Sequence, residues 1–163
     1  MIAAGLAYAR AGAAAKAEPV VKALSARLSA DPRAYAQLIS GEIELERGNA
    51  REALRFFNEA QKIADTWLGR FDRGRAYIEI QEYTEASSEL DACLKRRGEA
   101  TAIFLDDVPS LHLLPEVYYY TGRAQQGLNS PGAAESFRTF LQMKQKSAGD
   151  RLVVDARKRL ASL

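Results

Sequence analysis

The chain has 163 residues, 47% apolar and 27% charged, with 23 Lys and Arg against 21 Asp and Glu for a formal charge of +2. That length suits one domain with a sizeable core, and the composition excludes a disordered or collagen-like chain. The near-even charge announces neither nucleic acid, nor membrane, nor an acidic substrate. Twenty-nine alanines against 16 glycines and prolines favour many closely packed helices over a β-sandwich. Cys93 is the only cysteine, which excludes a disulfide framework and a multi-thiolate metal site. No charged-then-apolar leader opens the chain, and no apolar run approaches the roughly 18 residues of a membrane span, so a cytoplasmic protein is expected.

Four helix pairs are predicted in chain order. The first (about residues 1–31) holds Gly5 and Ala17 and turns at Ala11-Gly12-Ala13. The second (32–65) opens with Asp31 as cap and Pro32 in the first turn, carries Gly41, turns at Arg47-Gly48-Asn49 and continues through Ala53, Phe57 and Ala60. The third (66–98) repeats this as Gly74, Ala86, Leu90 and Cys93 and closes at Lys95-Arg96-Arg97-Gly98. An apolar insertion (99–114) follows, in which Ile103, Phe104, Leu105, Val108, Leu111, Leu113 and Leu114 are expected to be buried. The fourth pair (115–147) carries Gly122, turns at Asn129-Ser130-Pro131-Gly132, and fits the pattern only after a one-residue slip, with Phe137 following Ala133 rather than Ala134. A last amphipathic helix (150–162) is expected to cap the array through Leu152, Ala156 and Leu160, with Arg157, Lys158 and Arg159 facing out.

The four glycines are spaced by 36, 33 and 48 residues, and an alanine follows each by twelve. A glycine inside a helix costs about 1 kcal/mol against alanine, so four in phase need a packing reason; residues without bulk let two helices cross closely. This small–large–small pattern resembles the tetratricopeptide repeat family over almost the whole chain, although the early tryptophan is missing and Trp67 falls a few positions off. The resemblance implies an all-α, right-handed α-solenoid of about four such helix pairs plus the capping helix. The runs Ala64–Asp72, Cys93–Ala100, Phe104–Pro109 and Val117–Tyr120 are similar to the C-terminal repeat region of certain bacterial signalling proteins, behind a Ser/Thr kinase or a DNA-binding regulatory domain. That likeness implies a sensory or assembly role and a further domain upstream in cis, with the chain a piece of a longer protein.

No phosphate loop, zinc-protease helix or nucleophile elbow is present, so no catalytic centre, metal or cofactor is expected. His112, the only histidine, would have to centre any enzyme site, with Asp106 and Asp107 nearby; that is the least favoured reading. Carried over from the repeat family, the exposed groove wall is Leu38, Glu42, Leu45 and Glu46, then Phe71, Arg75, Ile78 and Glu79, then Tyr119, Arg123 and Gln126. An apolar row (Leu38, Phe71, Tyr119) beside a mixed-charge row (Glu42, Arg75, Arg123) would suit a peptide or protein partner. The alternatives are that Arg75 and Arg123 simply pair with neighbouring glutamates, or that Leu38, Phe71 and Tyr119 bury against a second copy as a homo-oligomer. The carboxylate clamp of some relatives is not expected, because Ile39, Leu68 and Asp72 stand at its positions. No nucleic-acid or membrane partner is expected.

Overall fold

In the computed structural model, which describes residues 1–99, 110–147 and 149–163, nine α-helices are present and no strand occurs among these residues. They are α1 (Ile2–Arg10), α2 (Ala14–Ser25), α3 (Ala30–Glu46), α4 (Ala50–Ile63), α5 (Trp67–Glu79), α6 (Tyr83–Lys95), α7 (Leu114–Gly127), α8 (Ala133–Met143) and α9 (Arg151–Ala161). Each helix packs on the next, and α1 also touches α3, α3 touches α5, and α5 touches α7. Among the described residues no helix is long and apolar enough to cross a membrane.

The turns repeat in phase. Seven residues after each anchoring glycine stands a residue in the left-handed region: Gly12 (φ 70), Gly48 (φ 81), Gln81 (φ 66) and Asn129 (φ 53). At all four the next amide donates back to the carbonyl five residues earlier: Ala13 to Tyr8, Asn49 to Glu44, Glu82 to Tyr77 and Ser130 to Gln125, each at 2.8 or 2.9 Å. This is the Schellman closure that satisfies a helix's last carbonyls while reversing the chain. Glycine and asparagine accept that conformation readily; glutamine carries a Cβ penalty. Gln81→Gly is therefore expected to raise stability by about 0.5–1 kcal/mol, read as a higher urea midpoint; an unchanged or lower midpoint would show that the turn stores no strain.

The crossings explain the glycines. A Cβ on Gly41 would lie 2.3 Å from the Phe57 ring, one on Gly122 2.8 Å from Phe137, and one on Gly74 3.0 Å from Leu90. Glycine and large residue are sixteen positions apart in the second and third pairs and fifteen in the fourth. Ala133 rather than Ala134 is buried, so the one-residue slip is real. Gly5 meets Val20 and Ile39 instead of Val21.

Local expectations at Asp31 and in α9 are corrected, and Trp67 takes a defined place. Helix α3 starts at Ala30 after extended Ser29, so Asp31 and Pro32 lie inside its first turn and Asp31 does not cap it. Trp67 opens α5 and is fully buried: its indole N–H donates to the Cys93 carbonyl at 3.0 Å, and its ring stacks on Phe71 at 5.6 Å. In α9 the buried residues are Val153 and Ala156, with Leu152 and Leu160 only half-buried. Arg159, expected to face out, is half-buried, pairs with Asp155 and donates to Gln126 at 3.0 Å.

Of the insertion, Ile103, Phe104, Leu105, Val108, Asp106 and Asp107 lie outside the described residues. Its boundaries are held together: the Ser110 amide donates to the Glu99 carbonyl and the Gly98 amide to Ser110 Oγ, both at 2.9 Å. A short 3-10 turn, Ser110–Leu113, leads into α7; Leu113 is buried, Leu114 is half-buried, and Leu111 is 55% exposed against expectation. One core runs from α1 to α7, and a second, built on Tyr119, Phe137, Phe140, Val153 and Ala156, joins α7, α8 and α9.

Candidate functional site

Helices α3 and α5 are enclosed on most sides by the helices that pack on them, and the predicted wall is divided as a result. Leu38, Phe71, Ile78, Tyr119 and Glu42 are buried, so they are not the exposed groove side chains expected from the sequence. The reasons are specific. Phe71 lies between the Trp67 ring and the edge of Tyr120, whose centroid is 5.7 Å away. Tyr119 packs against Phe137 and Phe140, and its hydroxyl donates to Asp155 at 2.7 Å. The apolar row is core, and Leu38, Phe71 and Tyr119 offer no surface to a second copy.

Glu42 is the centre of a buried charge cluster spanning α1, α3 and α5. Its Oε1 accepts from Arg10 Nε and Arg75 Nη1, both at 2.9 Å, and its Oε2 from Arg75 Nη1 at 2.7 Å. Asp72 Oδ1 accepts from the same Arg75 nitrogen at 3.1 Å and lies 3.7 Å from Arg10 Nη2. Asp72 Oδ2 and Arg10 Nη2 are buried without a hydrogen-bond partner. Burial opposes ionisation of Glu42, but the guanidiniums of Arg75 and Arg10 outweigh it and hold its carboxyl below the usual range. Asp72 goes the other way: burial, and then the neighbouring Glu42, push it up to about 7. Two carboxylates in one dry site cannot both ionise freely.

The remaining wall residues stay accessible. Glu46 and Glu79 are exposed, and Leu45, Arg123 and Gln126 are half-buried. Arg123 pairs with Glu79 at 2.9 Å, and the Arg75 side chain keeps 12% of its surface. Leu45, Glu46, Arg75 and Glu79 come together with Gly48 and Tyr120 around a cleft of about 280 Å³ at the C-terminal ends of α3 and α5. A shallower depression of about 430 Å³ adjoins it, sharing Gly48 and Glu79. Tyr120 was missed by one helical position: the sequence pattern pointed to Tyr119, and the neighbouring tyrosine is the one beside Arg75, 5.8 Å from ring centroid to guanidinium.

Elsewhere the chemistry is sparse. His112 is exposed at the 3-10 turn. Cys93 is buried, and burial pushes its thiol far above the usual range, which suits a core filler and not a nucleophile. Among the described residues no three His, Cys, Asp or Glu side chains are gathered as metal ligands would be. Comparison with protein-family models, with curated proteins and with solved structures finds no significant match.

Proposed function

We propose that the chain is a tetratricopeptide-like right-handed solenoid that works without catalysis, presenting a cleft to a peptide or protein partner as part of a larger bacterial signalling or regulatory protein. The observation that carries this reading is the cleft at the ends of α3 and α5, because it gathers four of the six sequence-derived wall residues that stay accessible: Leu45, Glu46, Arg75 and Glu79, without Arg123 and Gln126. Its apolar side chains, Leu45 and Tyr120, stand beside charges of both signs, which suits a short segment with one apolar anchor and a charged group. The in-phase turns and the contacts between alternate helices support the repeat architecture.

The test is a peptide-display selection on the wild-type protein, followed by binding of the selected peptides to a Leu45→Arg/Glu46→Arg double variant. Both side chains reach the surface, so the fold should be unchanged by circular dichroism. Loss of about tenfold or more in affinity is expected, equivalent to about 1.4 kcal/mol or more. If every selected peptide binds the double variant as tightly as the wild type, the cleft is not the site.

A further inference from the structure

From Ala133 to the end, the chain carries seven basic residues against three acidic ones, a balance of +4 in a protein whose total is +2. The positive charge is thus gathered on α8, α9 and their connection rather than interleaved along the chain. Two of the three acids are already engaged, Asp150 with Lys144 at 3.3 Å and Asp155 with Arg159.

Helix α9 docks in one orientation. Val153 and Ala156 are buried, Asp155 accepts from Tyr119, and Arg159 donates to Gln126, so this side faces α7 and α8. The opposite side presents Arg151, Val154, Arg157 and Lys158, all exposed and at helical spacing. The three cations make no ion pair among the described residues, and Val154, 57% exposed, sits between them. At the C-terminal end of α9 lies a cavity of about 610 Å³, lined among others by Arg138, Gln126, Asn129, Ser130 and Leu160 and by no Asp or Glu side chain.

We infer that the outer face of α9 and the cavity at its end form a docking surface for an acidic, partly apolar segment of a partner protein. Charge complementarity selects acidic residues along Arg151, Arg157 and Lys158. Val154 supplies an apolar contact in their midst, and the amide and hydroxyl groups of Gln126, Asn129 and Ser130 beside Arg138 suit peptide carbonyls and a carboxylate. A nucleic acid fits less well, since Arg151 to Lys158 spans only about 10 Å of helix and meets few phosphates. One apolar side chain is also too little to enter a membrane. This surface is separate from the cleft and does not depend on it.

The experiment is fluorescence anisotropy with a labelled short peptide alternating Asp or Glu with Leu. The comparisons are a Lys–Leu peptide of equal length, an oligothymidylate and vesicles of phosphatidylcholine with phosphatidylserine. The acidic peptide should bind, weaken as salt rises from about 0.05 to about 0.3 M, and lose about tenfold or more with Arg151→Glu/Lys158→Glu. Arg138→Glu should weaken it by about threefold or more, while Leu45→Arg/Glu46→Arg leaves it unchanged, so that failure here and failure of the cleft are separable. The inference is overturned if the acidic peptide binds no better than the Lys–Leu peptide or ignores the charge reversals. It is equally overturned if the oligothymidylate or the vesicles bind more tightly and are lost with the same variants.

Discussion

Gly41→Ala should lower the unfolding free energy by about 2 kcal/mol, a loss from a change that ordinarily strengthens a helix. The added methyl would sit 2.3, 2.5 and 2.9 Å from three carbons of the Phe57 ring. Phe57 is fully buried and cannot step aside, so either the ring leaves its rotamer or α3 and α4 separate. The clash outweighs the roughly 1 kcal/mol that alanine gains in helix propensity. Gly74→Ala is the internal control: its nearest neighbours are Leu90 Cγ at 3.0 Å and Cδ2 at 3.1 Å, so Leu90, although equally buried, has to give by only a few tenths of an ångström. Urea unfolding should place Gly41→Ala well below the wild type and Gly74→Ala close to it. Phe57→Leu added to Gly41→Ala should recover part of the loss, a coupling that a double-mutant cycle measures. Equal stability of Gly41→Ala and wild type would contradict the crossing geometry.

The second large effect belongs to Glu42. Glu42→Leu is expected to cost about 3–5 kcal/mol, because it leaves the guanidiniums of Arg10 and Arg75 facing an apolar side chain in a buried site. Asp72 limits the damage: without Glu42 beside it, its carboxyl is freed to ionise against the two arginines. The cluster also makes stability depend on pH. The folded protein keeps a proton on Asp72 up to about pH 7, whereas an unfolded aspartate releases it near 4. The folded state thus binds more protons across that interval, and this contribution to stability is full below it and lost as pH rises through 7. Asp72→Asn removes the titration. Its stability should match the wild type near pH 4 and exceed it at pH 8, with the gap opening between. A constant difference at all pH values would show that Asp72 is not the titrating group. The charges facing it are Glu42 of α3, Arg10 of α1 and Arg75 of its own helix, with Glu89 and Cys93 on α6 and Tyr120 on α7 nearby.

What was legible in the sequence was what local spacing dictates. The glycines, the alanines twelve residues on, the turns at Gly12, Gly48 and Asn129 and the slip at Ala133 all follow from how two helices cross and reverse. Gln81 escaped notice as a left-handed residue because its side chain advertises no turn; only its phase, seven residues after Gly74, marks it. The site was half legible. Burial of Leu38, Phe71 and Ile78 depends on which helices cover α3 and α5, and that of Tyr119 on α8; helix α7 reaches α5 with its glycine 48 residues after Gly74, which breaks the regular spacing. Glu42 and Arg75 were marked as charged wall residues, and their direct pairing was among the alternatives; the buried cluster around them also takes in Arg10, thirty-two positions before Glu42, which no local pattern connects. Asp72 stood out only as a departure from a clamp. At the ends of the wall Glu46 and Glu79 are exposed and Leu45 is half-buried against the core, because a helix end protrudes beyond its neighbours whatever covers its middle.

The most direct test of the cleft is an amide hydrogen-exchange footprint of the protein with and without a display-selected peptide. Added protection is expected at residues 45–50 and 75–80, around Leu45, Gly48 and Glu79, with α2 and α9 unchanged. Protection confined to any other part of the chain, with those two segments exchanging as in the free protein, would contradict it.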